Sequence, residues 1–300
     1  MSSFTIVVDS SCDLPAELMA KYGIEVLPIP FDLDGRSHVT GDWKGLTVSL
    51  YYDSLRKGKI AKTSQINPDD FTEAYSSYAN DNRDALFISL SSGLSPTWHN
   101  SEIALNEIKK KYPNSNIYTV DSLNATTGHG LLTLLAVKKR DEGLTAGETA
   151  AWLNEKKHSL FGLFTVDDLM YLHRGGRLSR MSAITGSVFH IKPVLNMAPD
   201  GTLCMKEKVQ GRDAALNKLI SQLERSINPG TSLDTVLIAH SDCLEYAQAL
   251  VAKLTAVVRI NRIIIMPMCP VIGAHVGPGT VNLMFEADMT RQQYEDRFSS

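Results

Sequence analysis

The chain has 300 residues, 43% of them hydrophobic and 21% charged, with a formal net charge of −3. That apolar share is ample for sizeable cores and excludes a disordered chain, while the near-neutral balance lacks the basic surface that nucleic acid requires of a main partner. The length fits two domains of ordinary size.

Cys12, Cys204, Cys243 and Cys269 are scattered without a C-x-x-C pair, so neither a zinc spacing nor a disulfide framework is present. The first residues enter a strand at once, with no basic segment leading into an apolar run. No stretch approaches the roughly 20 apolar residues that span a bilayer. The chain therefore reads as cytoplasmic, with no stable membrane insertion.

Strand and helix signals alternate through the first half. Residues 4–8 form an apolar strand, after which Asp13 is placed to cap a helix to Tyr22 with Pro15 in its first turn. A second strand is expected over 24–31, then an Asp34-Gly35 turn and an amphipathic helix over 47–56. Asn67-Pro68-Asp69-Asp70 supplies a cap, a first-turn proline and an acidic first turn for a helix to Asn80. A buried strand over 85–90 leads through Ser95-Pro96 into a helix to Lys111. A strand over 117–120 and a helix over 125–142 complete the unit.

This alternation predicts a parallel α/β sheet. Ligands of such sheets gather beyond the carboxyl ends of the strands. Here those ends are Asp9-Ser10-Ser11, residues 91–97 and Asp121-Ser122.

The second half is less regular. After a helix over 148–157, strands are expected over 160–166, 192–197, 202–209 and 234–240, with a hairpin turn at Pro199-Asp200-Gly201. Amphipathic helices follow over 213–227 and 244–257. A strand over 262–266 then precedes a glycine-lined turn over 271–279, and a last strand covers 280–285. The expected organisation is an N-terminal α/β domain over 1–157 and a C-terminal mixed-sheet domain over 158–300.

Four turns carry groups able to do chemistry: Asp9-Ser10-Ser11, Thr63-Ser64-Gln65, residues 91–97 (SSGLSPT) and the His275 turn (VIGAHVGPG). Small hydroxyls beside a helix N-terminus suit a carboxylate or phosphate. A histidine in a glycine turn can donate to an oxygen anion, and glycine removes Cβ atoms so that a bound group can come close. Ser95 also reads as a plain helix cap, and Asp9 as satisfying its own turn.

Catalytic sets are incomplete. Thr97 stands where the second glycine of G-x-S-x-G belongs, and a Ser95–His275 pair has no evident orienting acid. Phosphate-loop and dinucleotide motifs are missing, and the eight histidines show no metal-ligand spacing. No cofactor or metal is expected. A helix opening near Asp167 ends at Gly175-Gly176, flanked by Arg174 and Arg177, which suits an anion-steering or docking patch.

Taken in order, FTIVVDSSCDLP (4–15), Thr63-Ser64-Gln65, SSGLSPT, Val120-Asp121-Ser122, YLHRGGRLS (171–179), IKPVL (191–195) and IGAHVGPG (272–279) resemble the DegV family, over about residues 4–285. These are bacterial fatty-acid-binding proteins that include the binding subunits of fatty acid kinase. The resemblance implies two α/β domains with one long-chain fatty acid between them. It implies a carboxylate bound by Thr63, Ser95 and His275, supported by Ser64, Gly93, Leu94, Gly273, Ala274 and Gly277. It further implies presentation to a separate ATP-binding kinase, with Arg174 and Arg177 on the docking side. The chain itself would then not be an enzyme.

Pro96, Val276 and the His173-Arg174 pair depart from the usual family residues. Rival readings are a Ser95/His275 acyl hydrolase and a regulatory module that its lipid merely stabilises. Apolar tunnel walls are expected from residues 263–266, Phe189, Ile191, Val194 and Leu195.

Overall fold

The computed structural model describes residues 4–39, 46–177 and 191–298. The first half runs β1 (Thr5–Asp9), α1 (Ala16–Tyr22), β2 (Ile24–Leu27), β3 (Pro30–Leu33), β4 (Arg36–Val39), α2 (Val48–Arg56), β5 (Ala61–Thr63), α3 (Pro68–Asn80), β6 (Ala85–Ser89), α4 (Thr97–Lys111), β7 (Ile117–Asp121), α5 (Thr126–Asp141) and α6 (Ala146–Lys156). The second half runs β8 (Leu160–Thr165), α7 (Met170–Arg174), β9 (Ile191–Met197), β10 (Leu203–Gln210), α8 (Arg212–Ser226), β11 (Ser232–His240), α9 (Leu244–Val257), β12 (Arg259–Pro267), α10 (Pro270–Val276), β13 (Val281–Glu286) and α11 (Arg291–Phe298).

The fold is mixed α/β. Strands β2-β1-β6-β7 form a wholly parallel sheet, as the alternation predicts. Strands β10-β9-β8-β13-β11-β12 form a mixed sheet whose one parallel pair is β11–β12. A small antiparallel sheet, β4-β3-β5, was not foreseen.

Side chains alternate across the mixed sheet, as strand geometry requires. Phe161, Leu163, Leu283 and Phe285 pack toward α8 and α9 in one core. Leu160, Phe164, Leu195 and Met284 face the other way, into a core continuous with the parallel sheet. The pocket described below opens on this second face.

Local chemistry explains most elements. Asn67 and Asp70 form a reciprocal capping box at α3, and Thr145 and Glu148 do the same at α6. The β3–β4 hairpin turns on Asp34 and Gly35, both with positive φ, the pattern of a tight two-residue turn. At the second hairpin, Asp200 accepts from Thr202 N at 3.0 Å, and Gly201 takes a φ of 77°.

Four expectations need correction. The strand over 24–31 is two strands in different sheets, because Pro28 and Pro30 lack the N–H donors a continuous ladder needs. Asp13 does not cap α1, whose N-terminus has no side-chain cap; its carboxylate reaches elsewhere, as set out below. The glycine-lined turn over 271–279 is mostly the helix α10, opened by Pro270 at its first position and closed by Gly277 at a φ of 70°.

The proposed tunnel walls are also wrong in part. Val194, Ile263 and Ile265 belong with the α8/α9 core, and Ile191 is 40% exposed. Phe189 lies outside the described residues, as do Leu178 and Ser179 of the Gly175-Gly176 motif.

Candidate functional site

Helix α10 brings His275 to a pocket because the N-terminal half grips its opening turn. Tyr51 Oη donates to Pro270 O at 2.9 Å, and Tyr52 Oη donates to Met268 O at 3.1 Å. Asp13 accepts from Cys269 N at 2.9 Å and from Thr126 Oγ1 at 2.7 Å, tying the starts of α10 and α5 together. Burial pushes the Asp13 carboxyl up to about 6, with the Thr126 hydroxyl and the Cys269 thiol and backbone N–H opposing that rise.

Gly273 serves this grip. A Cβ there would stand 2.6 Å from Tyr52 Oη and 2.9 Å from Tyr51 Cε1. Gly277 lies similarly against the Tyr171 ring, which a Cβ would approach to 2.4 Å. Both glycines therefore make room for tyrosine rings. Gly93 likewise abuts the 198–202 hairpin, where its Cβ would meet Gly201 C at 2.7 Å. Ala274 is buried in α10, away from the pocket lining.

The pocket has about 800 Å³ of empty space, open solvent at its mouth included. Its walls are largely aliphatic and sulfur-bearing: Ile29, Leu90, Leu172, Met268, Ile272 and Met284 among them. Thr63, Ser64, Leu94, Ser95, Arg177 and His275 all line the same space. Thr63 ends β5, so the small unforeseen sheet is what delivers its hydroxyl.

His275 Nε2 lies 2.8 Å from Thr63 Oγ1. Nδ1 has no partner among the described residues and faces the Cα of Gly175, where a Cβ would come within 2.3 Å. Burial, reinforced by the charge of Arg177, pushes the imidazole down to about 4, so the ring is neutral at pH 7. A neutral ring presents one N–H and one lone pair, and either tautomer fits the Thr63 contact.

Ser95 Oγ accepts from Thr97 N at 3.3 Å and lies 2.9 Å from Thr97 Oγ1. It makes no hydrogen bond to His275 among the described residues, so the arrangement is not that of a serine nucleophile with its base. Arg177 Nε donates to Leu94 O at 2.9 Å, and its Nη1 donates to Gly175 O. Half-buried, it adds positive charge to the pocket wall. Arg174 is exposed and stacks on Tyr171 at 4.7 Å.

The other strand-end turns are consumed internally. Asp9 accepts from Ser11 N at 3.0 Å and from Leu90 N at 2.6 Å, and Asp121 accepts from Ser92 N at 3.1 Å. Ser91 Oγ donates to Gly201 O at 2.7 Å. Sequence reasoning missed Asp13, Tyr51, Tyr52 and Gly175 as the groups that place His275. Only the paired tyrosines at buried helix positions carried any signal. Among the described residues, no group of His, Cys, Asp or Glu could hold a metal ion, and no helix is long and apolar enough to cross a membrane.

The pocket thus pairs a long apolar lining with hydroxyls, a neutral imidazole and one guanidinium. Such a surface suits an amphiphile with an anionic end. Comparisons with known proteins agree in kind. A DegV domain-containing protein of Clostridium perfringens is 36% identical over 289 residues, covering 96% of this chain and 99% of that protein. A DegV lipid-binding protein of Thermotoga maritima superposes with a TM-score of 0.84 at 30% identity, over 97% of this chain and 100% of that one. A second Thermotoga maritima protein, described as revealing a fatty acid binding function, gives 0.83 at 30% identity, over 96% and 100% of the two chains. Residues 3–288 match the model of a family described as uncharacterised, the DegV family, and to that family this chain belongs.

Proposed function

We propose that the protein binds one long-chain fatty acid, its carboxylate at Thr63, Ser95 and His275 and its acyl chain along the apolar pocket. In this reading the ligand lies between an N-terminal unit, 1–157, and a C-terminal unit, 158–300. The observation that carries it is the pocket itself: a largely apolar lining that also holds the paired Thr63 and His275, with Ser64 and Ser95 in the same wall.

The energetics favour such a ligand. About fifteen buried methylenes at roughly 0.8 kcal/mol each offer on the order of 12 kcal/mol before binding costs. The carboxylate must be hydrogen-bonded to keep that gain. Hydroxyl and imidazole donors meet the need, and Arg177 adds favourable charge without spending all its donors on the ligand.

Denaturing extraction of the purified protein, followed by mass spectrometry, tests the reading. Recovery of about one acyl chain per protein is expected. No recovered acyl chain, together with no uptake of added fatty acid, would overturn it.

Presentation to a separate ATP-binding kinase extends the same proposal. It is favoured by Arg174, exposed beside the pocket at Gly175-Gly176. Acyl phosphate formed by such a kinase only when the loaded protein is present, and lost in Arg174→Glu, is the expected result.

A further inference from the structure

Most buried polar groups of the pocket wall are engaged by other parts of the protein, Arg177 by Leu94 O and Gly175 O among them. Thr63 Oγ1 meets His275 Nε2 while His275 Nδ1 is covered by Gly175, and Ser95 pairs with Thr97. Thr126 donates to Asp13, and Thr280 donates to Val276 O at 3.0 Å. Asn282 differs. One atom of its side-chain amide meets the Thr127 hydroxyl, and the other has no hydrogen bond among the described residues.

Asn282 is only 5% exposed, yet it lines the pocket. It stands on β13 paired with Phe164 of β8, so it shares the pocket face of the mixed sheet with Met284. Whichever way the amide is turned, one hydrogen-bonding atom faces a space otherwise suited to hydrocarbon. A plain alkyl chain passing that atom strips its water and returns nothing. Leucine or methionine would serve such a chain better.

We infer that the pocket is built for an oxygenated acyl chain, a hydroxy or oxo fatty acid, whose chain oxygen is recognised by the Asn282 amide. The inference rests on the fatty-acid reading above. It adds a second polar contact, on a different wall from Thr63, that would select among acyl chains and set their depth. A hydroxyl can donate or accept, so it suits either orientation of the amide. An oxo group requires the N–H side to face the pocket.

The test uses delipidated full-length protein and calorimetric titration. The probes are octadecanoic acid, its cis-monounsaturated counterpart, and a series of octadecanoic acids bearing one hydroxyl or oxo group at successive mid-chain and distal carbons. One positional isomer is expected to bind about tenfold more tightly than octadecanoic acid. Asn282→Leu should erase that preference and tighten octadecanoic acid.

If octadecanoic acid or its unsaturated counterpart binds wild-type protein as well as every oxygenated isomer, the inference is wrong while the fatty-acid reading stands. An equal loss for all acids in Asn282→Leu would place the amide on the carboxylate and also overturn it. Failure of every probe to bind wild-type protein overturns both. The wild-type ranking decides the matter even if the variant does not fold.

Discussion

His275 and Asp13 are buried titratable groups with opposite pH behaviour. The folded His275 pKa is depressed to about 4, so its contribution to stability is present above the unfolded value near 6.5 and is lost as pH falls toward 4. The folded Asp13 pKa is raised to about 6, so its contribution is present below the unfolded value near 3.9 and is lost as pH rises through 6. Between pH 4 and 6 the two oppose each other, and their combined effect on wild-type stability is small.

Single variants separate them. Asp13→Asn should raise stability at pH 7 by about 1–3 kcal/mol, since an amide can replace both contacts without an ionisation cost. Its stability should then climb more steeply from pH 5 to pH 7. His275→Gln should do the reverse, losing stability as pH rises over the same range. Thermal melts at the two pH values measure both slopes, and parallel slopes in all three proteins would contradict these assignments.

The head-group residues make a separate prediction. Thr63→Ala removes a hydroxyl from the ligand and from His275 Nε2 together, and Ser95→Ala removes one whose other partner is Thr97. Each should weaken fatty acid binding by about 1–3 kcal/mol, the usual cost of a lost hydrogen bond to a charged group. Thr63→Ala should have the larger effect. Competition with a fluorescent acyl probe gives the ranking.

Among the elements, α10 decides whether the site exists, and it is the element least legible in the sequence. Seven residues with an internal glycine have little intrinsic helicity. Its helical form depends on Pro270 at the first position and on distant groups, Tyr51, Tyr52 and Asp13, that the local sequence does not reveal. Helix α3, by contrast, carries its cap in plain view and forms where expected, while α6 starts two residues earlier than expected, at Ala146, on the Thr145–Glu148 capping box.

Gly175 and Gly273 hold α10 and its histidine in place by lacking a Cβ. Gly175→Ala puts a methyl against His275 Nδ1, and Gly273→Ala puts one against Tyr52 Oη. Overpacking of this kind costs roughly 1–3 kcal/mol. Both should lower the melting temperature, but only Gly175→Ala should also shift the His275 ring resonances in a folded sample. Unchanged ring resonances would remove Gly175 from the role of fixing that side chain.

Across the whole molecule, the parallel sheet followed from strand and helix alternation, and the mixed sheet from irregular spacing after it. Thr63, Ser95 and His275 were legible as pocket residues because they lie in short sequence runs of hydroxyls and glycines. The pocket's apolar walls were not. Neighbouring strand residues point to opposite faces, so Phe161 and Phe164, both apolar and buried, serve different cores. The β4-β3-β5 sheet that delivers Thr63 was hidden for a similar reason, since three- and four-residue strands carry too short a pattern to read.

One core runs without a break from the parallel sheet to Met284 of the mixed sheet, and the pocket lies within it. Filling that pocket should therefore stabilise the entire fold, by about 2.7 kcal/mol at a ligand concentration one hundredfold above Kd. A higher melting temperature in the lipid-loaded than in the delipidated protein is the expected result.

The most direct measurement is a calorimetric titration of a long-chain fatty acid into delipidated protein. Saturation at one acid per chain, abolished or strongly weakened in the Thr63→Ala, Ser95→Ala double variant, is the predicted result. Absence of saturable binding, or one-to-one binding untouched by the double variant, would contradict it.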